Sequence, residues 1–142
     1  MQERGLAAYL AELIGTLLLV FFITSVVALF LSTGSQAQFG SDFAVIGLVH
    51  AFLLFGLIVM FGVVSGGHFN PAVTIAALAI KRISAIDGVI YILAQLSGGV
   101  LGALLAAAVF RFVLEPGGVP PTESPEPIKA SAKGTAKASP TS

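Results

Sequence analysis

The chain has 142 residues, of which 56% are hydrophobic and 10% are charged, and its formal net charge is zero. A soluble domain of this length cannot bury so much apolar surface, so the composition indicates an integral membrane protein. The zero net charge argues against a nucleic-acid partner, and the absence of cysteine excludes disulfides and thiol chemistry. With two histidines and few acids in the apolar segments, we expect no metal ion or other cofactor.

Three long apolar segments are predicted to cross the membrane. Each has at least the ~20 residues that a spanning helix needs, and they lie at about residues 8–31, 43–64 and 88–114. The first contains one acid, Glu12, the second contains His50, and the third ends near Arg111. A cleaved signal peptide is an alternative for the first segment, but its apolar run exceeds the ~7–15 residues of such peptides. We therefore interpret all three segments as membrane spans.

A short helix is predicted between the second and third spans. Asn70 is a suitable N-cap and Pro71 a suitable first helical residue, with Ala72 after them, and the apolar run ends before Lys81. The predicted helix at 70–80 would be about 15 Å long, half of the ~30 Å hydrocarbon core. This length predicts a re-entrant half-helix whose N-terminus lies near the midplane.

The basic residues give a weak indication of orientation. Arg4 and the pair Lys81 and Arg82 would share one side, whereas the link at 32–42 contains no lysine or arginine. This favours a cytoplasmic N-terminus. Arg111 and the lysines of the tail oppose that bias, so dual topology remains an alternative. The tail at 116–142 contains six of the seven prolines and is predicted to be disordered.

The segment between the second and third spans, residues 65–74, reads Ser-Gly-Gly-His-Phe-Asn-Pro-Ala-Val-Thr. It resembles the first of the two Asn-Pro-Ala boxes of the aquaporins, also called major intrinsic proteins. Residues 11–16 are similar to the first-span signature of that family, and its third span is similar at Ala94, Gln95, Gly98, Gly99 and Gly102. The resemblance covers about residues 6–114 and matches the amino-terminal half of the family pattern. It implies an all-α membrane fold in residues 1–115, with three transmembrane helices and one re-entrant half-helix.

The resemblance also implies a path for water or a small neutral solute. Asn70 would cap the half-helix and donate its amide N–H to a passing water, the alternative being that it is only a cap. Carbonyl groups before it would accept hydrogen bonds from water, and these belong to Gly66, Gly67, His68 and Phe69. His50 matches a position of the family's narrow region, with a buried, helix-bonded histidine as the alternative.

Other polar groups are interpreted as structural. The resemblance implies that Glu12 accepts hydrogen bonds from the backbone of the re-entrant loop, and Gln95 is expected to bond between helices. For the His68 side chain we favour a role in holding the loop. Two ridges of small residues in the third span are expected to be covered by a partner; they are Gly98, Gly102 and Ala106, and Gly99, Ala103 and Ala107.

The favoured function is a channel subunit in the cell membrane that needs a second half to complete its pore. The second half would be a complementary half-channel chain or an inverted copy in a homo-oligomer. The alternative is a truncated or split product that inserts without conducting, or that modulates a full-length relative. An enzyme is disfavoured, because Glu12, His50 and His68 come from different segments and form no nucleophile–base pair or metal-binding pattern.

Overall fold

The computed structural model describes residues 5–32 and 41–114, so the predicted tail and most of the first link lie outside the described residues. Within these ranges every regular element is helical, which confirms the predicted all-α fold. The elements are α1 (Leu6–Ser32), α2 (Ser41–Ser65), α3 (Pro71–Ala79), α4 (Ala85–Val109) and a final π-helical turn (Phe110–Leu114).

Three of these helices are long and apolar enough to cross a membrane, and they confirm the three predicted spans. They cover Leu6–Phe30, Asp42–Ser65 and Ala85–Val113. The third begins three residues before its predicted start, because the Ser84 hydroxyl accepts a hydrogen bond from the backbone N–H of Asp87 and caps α4. The chain is therefore an integral, multi-pass membrane protein.

The closest helix crossing joins α1 to α4. A methyl group added to Gly98 would overlap the carbonyl oxygen of Leu13, and one added to Gly102 would overlap that of Leu17. The two backbones are therefore in direct contact, as small residues permit in membrane helices. The expectation that this ridge needs a partner was wrong, since it is buried within the chain. The second ridge remains partly open, with Ala107 exposed.

Two apolar clusters hold the rest of the fold. Leu19 of α1, Leu57 of α2 and Phe69 of the following loop form one cluster, and Ala8, Ile83 and Tyr91 form the other. Helix α3 packs on α4, where the Leu78 side chain covers Gly88. The outer surfaces of α2 and α4 expose large apolar side chains, as lipid-facing helices do.

Candidate functional site

The loop at 66–70 connects α2 to α3 through an unusual backbone. Gly66 and Gly67 have φ angles of 95° and 67°, which glycine adopts without a steric penalty. Phe69 also has a positive φ, 47°, where a side chain with a β-carbon is disfavoured. The surrounding structure must therefore hold Phe69 in this conformation.

Glu12 of α1 makes several of the contacts that keep Phe69 in this conformation. Its carboxylate is fully buried and accepts hydrogen bonds at both oxygens. Oε1 accepts from the Ser65 hydroxyl at 2.6 Å and from the backbone N–H of His68 at 2.9 Å. Oε2 accepts from the backbone N–H of Phe69 at 2.6 Å and from Gln95 Nε2 at 2.7 Å. Four donors from three parts of the chain compensate for the burial of this carboxylate.

A second set of polar contacts joins the loop to α3 and α4. Gln95 Nε2 also donates to Thr74 Oγ1 at 2.9 Å, and the same oxygen lies 3.0 Å from His68 Nδ1. The His68 ring packs edge-to-face on Tyr91, with ring centroids 5.4 Å apart. Tyr91 in turn donates its hydroxyl to the carbonyl of Ser65 at 2.7 Å. The half-buried His68 side chain thus lies among groups that fix the loop.

The Phe69 side chain anchors the loop in the apolar core. Its ring is buried against α1, where Gly15 leaves the space that the ring occupies. It also clusters with Leu19 and Leu57 and lies edge-to-face with Phe61 at 6.2 Å. Both the ring and the backbone N–H of Phe69 are therefore held against α1.

Asn70 differs from its neighbours because it is exposed. Its backbone is extended, and its Oδ1 accepts from the backbone N–H of Ala72 at 2.8 Å, so it caps α3 with Pro71 in the first turn. Among the described residues, its amide nitrogen donates to no protein group. Both N–H bonds of the Asn70 amide therefore remain available at the N-terminus of α3.

His50 does not join this group of residues. It lies in α2, fifteen residues before Ser65, which corresponds to about 22 Å along the helix. Its side chain is exposed. The structure therefore brings Glu12, His68, Asn70 and Gln95 to the loop and leaves His50 on a separate part of α2.

The sequence interpretation missed several residues of the network. Ser65 and Thr74 lie at the two ends of the matched segment at 65–74 but were given no role, and Tyr91 was not singled out. In the first turn of α4, Asp87 is 2% exposed and accepts from Tyr9 Oη and Ser84 Oγ, both at 2.6 Å. The pattern Ser-x-x-Asp before an apolar run could have identified this cap. No group of metal-binding side chains occurs among the residues that the structure describes.

The chain matches known proteins along most of its length. A family model described as "Major intrinsic protein" matches residues 2–137. The chain is 42% identical over 105 residues to glycerol uptake facilitator protein-like 6 of Lactiplantibacillus plantarum. It is 37% identical over 121 residues to aquaporin TIP2-3 of Zea mays. These alignments cover 74% and 84% of this chain but 43% and 47% of the relatives, so the chain spans about half their length.

Proposed function

Because the chain belongs to the major intrinsic protein family, we propose that it is a subunit of a membrane channel for water or a small neutral solute. The names of the two relatives describe an aquaporin and a glycerol uptake facilitator-like protein. Water and glycerol are both small, uncharged and rich in hydrogen-bonding groups. The proposal therefore depends on whether this chain presents matching groups within a membrane.

The exposed amide of Asn70 is the observation that carries this proposal. It lies at the start of α3, whose nine residues extend only about 14 Å and are too few to cross a membrane. Its neighbour Phe69 packs on Gly15, nine residues from the start of the 27-residue α1. This contact supports a re-entrant α3 whose N-terminus lies at the depth of the membrane interior.

The groups around Asn70 have the chemistry that a neutral solute needs. The peptide dipoles of α3 are aligned along the helix, so its N-terminus behaves as roughly half a positive charge. Such a charge repels cations and protons from a narrow path. The Asn70 amide would donate to the oxygen of a solute, and carbonyls of residues 66–69 would accept from it. His50 would contact the solute nearer the outer mouth.

The same exposure supports the need for a second half. Polar backbone at membrane depth is tolerated only where protein or water covers it. Gly66 and Asn70 are exposed on this chain, so lipid would otherwise meet them. We propose that a complementary half-channel chain or an inverted second copy covers this surface. The N-terminus would lie on the cytoplasmic side of the cell membrane.

Osmotic shrinkage of proteoliposomes that contain the full chain tests the channel function. Water flux should exceed that of empty liposomes and fall to their level in Asn70→Leu. Ser84→Ala is the matched control, because it removes the N-cap of α4 rather than that of α3 and should leave the flux unchanged. If inserted wild-type protein gives no flux above empty liposomes, the non-conducting alternative holds for this chain alone.

Co-reconstitution tests the requirement for a partner. Covalently cross-linked dimers, or mixtures with a chain that supplies the complementary half, should conduct where the monomer does not. Flux from a monomer at one copy per liposome would contradict the need for a second half.

A further inference from the structure

We propose that Gly47 of α2 is a specificity-determining residue. Its missing side chain would keep the outer part of the path wide enough for a three-carbon polyol such as glycerol, as well as for water. This inference rests on the proposed channel function and names the solute class that the path admits.

The loop identifies which face of α2 borders the path. A β-carbon added to Gly67 would lie 3.4 Å from the Ile58 side chain and 3.5 Å from the Cα of Gly62, so the loop lies on this side of α2. Leu54, Ala51 and Gly47 precede Ile58 by four, seven and eleven residues. That spacing keeps them on the face of Ile58. The face therefore continues from the loop toward the start of α2.

Gly47 leaves open space on this face. It is exposed, and a β-carbon added to it would meet no atom within 4 Å. Ala51, one turn further along, is also exposed and small. His50 follows Gly47 by three residues and is exposed as well, so a large side chain at position 47 would lie beside the imidazole. Glycine at 47 therefore removes an obstacle next to the proposed narrow region.

Gly56 provides a matched comparison within the same helix. A β-carbon added there would also meet nothing within 4 Å. Nine residues separate it from Gly47, which corresponds to about 2.5 helical turns, so the two glycines lie on opposite faces. If glycine affected only the stability of α2, leucine at either position would change the flux equally. If Gly47 borders the solute path, only leucine at position 47 would lower the flux.

Flux measurements test the selectivity. Stopped-flow light scattering on proteoliposomes would give water and glycerol permeabilities for Gly47→Leu and Gly56→Leu. We expect Gly47→Leu to lower glycerol flux about five-fold or more and water flux less than about two-fold. Gly56→Leu should change neither flux. An unchanged ratio of glycerol to water flux in Gly47→Leu, or equal effects of both substitutions, would overturn the proposal.

Thiol labelling separates this proposal from the channel function itself. The chain contains no cysteine, so each introduced cysteine is unique. Gly47→Cys should react with a water-soluble maleimide about ten-fold faster than Val45→Cys, which is exposed at similar depth on the opposite side of α2. Equal rates would overturn the proposal even if the protein conducts. Fast labelling of Gly47→Cys without flux would instead contradict the channel function and leave the water-lined face in place.

Discussion

The backbone N–H of Phe69 donates to the carboxylate of Glu12, 57 residues earlier in the chain, at 2.6 Å. This bond fixes the residue that has a strained, positive φ angle to the helix on which its ring packs. One carboxylate thereby fixes the position of the N-terminus of α3 relative to α1, because Asn70 follows Phe69 directly. The stability of the loop should depend on Glu12 more than on any other polar side chain in α1.

Replacing Glu12 with glutamine should lower the free energy of unfolding by roughly 3 kcal/mol. The new NH₂ group would face two donors that lose their acceptor, since each carboxylate oxygen accepts from two of the four present partners. Unfolding by SDS in mixed micelles would measure the change. Asp42→Asn, in the first turn of α2, is the control and should cost less than about 1 kcal/mol. Equal losses in the two variants would contradict the assigned role of Glu12.

Gly102→Ala should destabilise the fold by about 1–3 kcal/mol, because its methyl group would overlap the carbonyl oxygen of Leu17 and separate α1 from α4. Gly99→Ala is the matched substitution three residues earlier. There the nearest atom lies 3.8 Å from the added carbon, so stability should stay the same or rise slightly. The same unfolding measurement would compare the two variants. A larger loss of stability in Gly99→Ala than in Gly102→Ala would contradict the close contact between α1 and α4.

Ser84→Ala should lower the free energy of unfolding by about 1 kcal/mol. The substitution removes the acceptor for the Asp87 backbone N–H and the hydroxyl that donates to the buried Asp87 carboxylate. Ser25→Ala serves as the control and should change stability little, because within the described part of the chain the Ser25 hydroxyl bonds only to the Phe21 carbonyl, one turn before it. Hydrogen exchange of the first turn of α4 should increase in Ser84→Ala alone.

Lys81→Gly should stabilise the protein by about 1 kcal/mol. Lys81 follows Ile80, the C-cap of α3, and has a φ of 59°. The N–H of Lys81 bonds to the carbonyl of Leu78 and that of Arg82 to the carbonyl of Ala77. This pair of bonds is the Schellman motif, whose left-handed position favours glycine. Arg82→Gly should instead be neutral or destabilising, since Arg82 has no positive φ. A melting temperature that falls in Lys81→Gly would show that its side chain contributes more than the backbone strain costs.

Much of the fold could be predicted because apolar length and helix caps are local signals. The spans, the Asn70 cap and the short α3 all followed from residues adjacent in the sequence. The predicted span at 43–64 and the observed α2 at Ser41–Ser65 differ by only a residue or two at each end.

The resemblance implied that Glu12 bonds to the loop backbone, but the side-chain pairs of the polar network required the tertiary structure. Gln95 meets Glu12 across 83 residues, and Tyr9 meets Asp87 across 78. No spacing rule links residues on different helices, so composition alone does not reveal such pairs. The Gly98 ridge shows the same limit: its small residues indicated close packing, but the sequence could not identify α1 as the helix they contact.

The network also has a consequence for how the chain is made. Every donor to the Glu12 carboxylate lies between 53 and 83 residues downstream, so α1 emerges from the ribosome before any of them does. An acidic residue at the centre of a membrane helix costs about 3 kcal/mol during insertion, whereas each Leu, Ile, Val or Phe contributes roughly −0.3 to −0.6 kcal/mol. Residues of these four types make up most of α1. The hydrophobicity of α1 is thus sufficient to insert this helix before the Glu12 carboxylate has any hydrogen-bond donor.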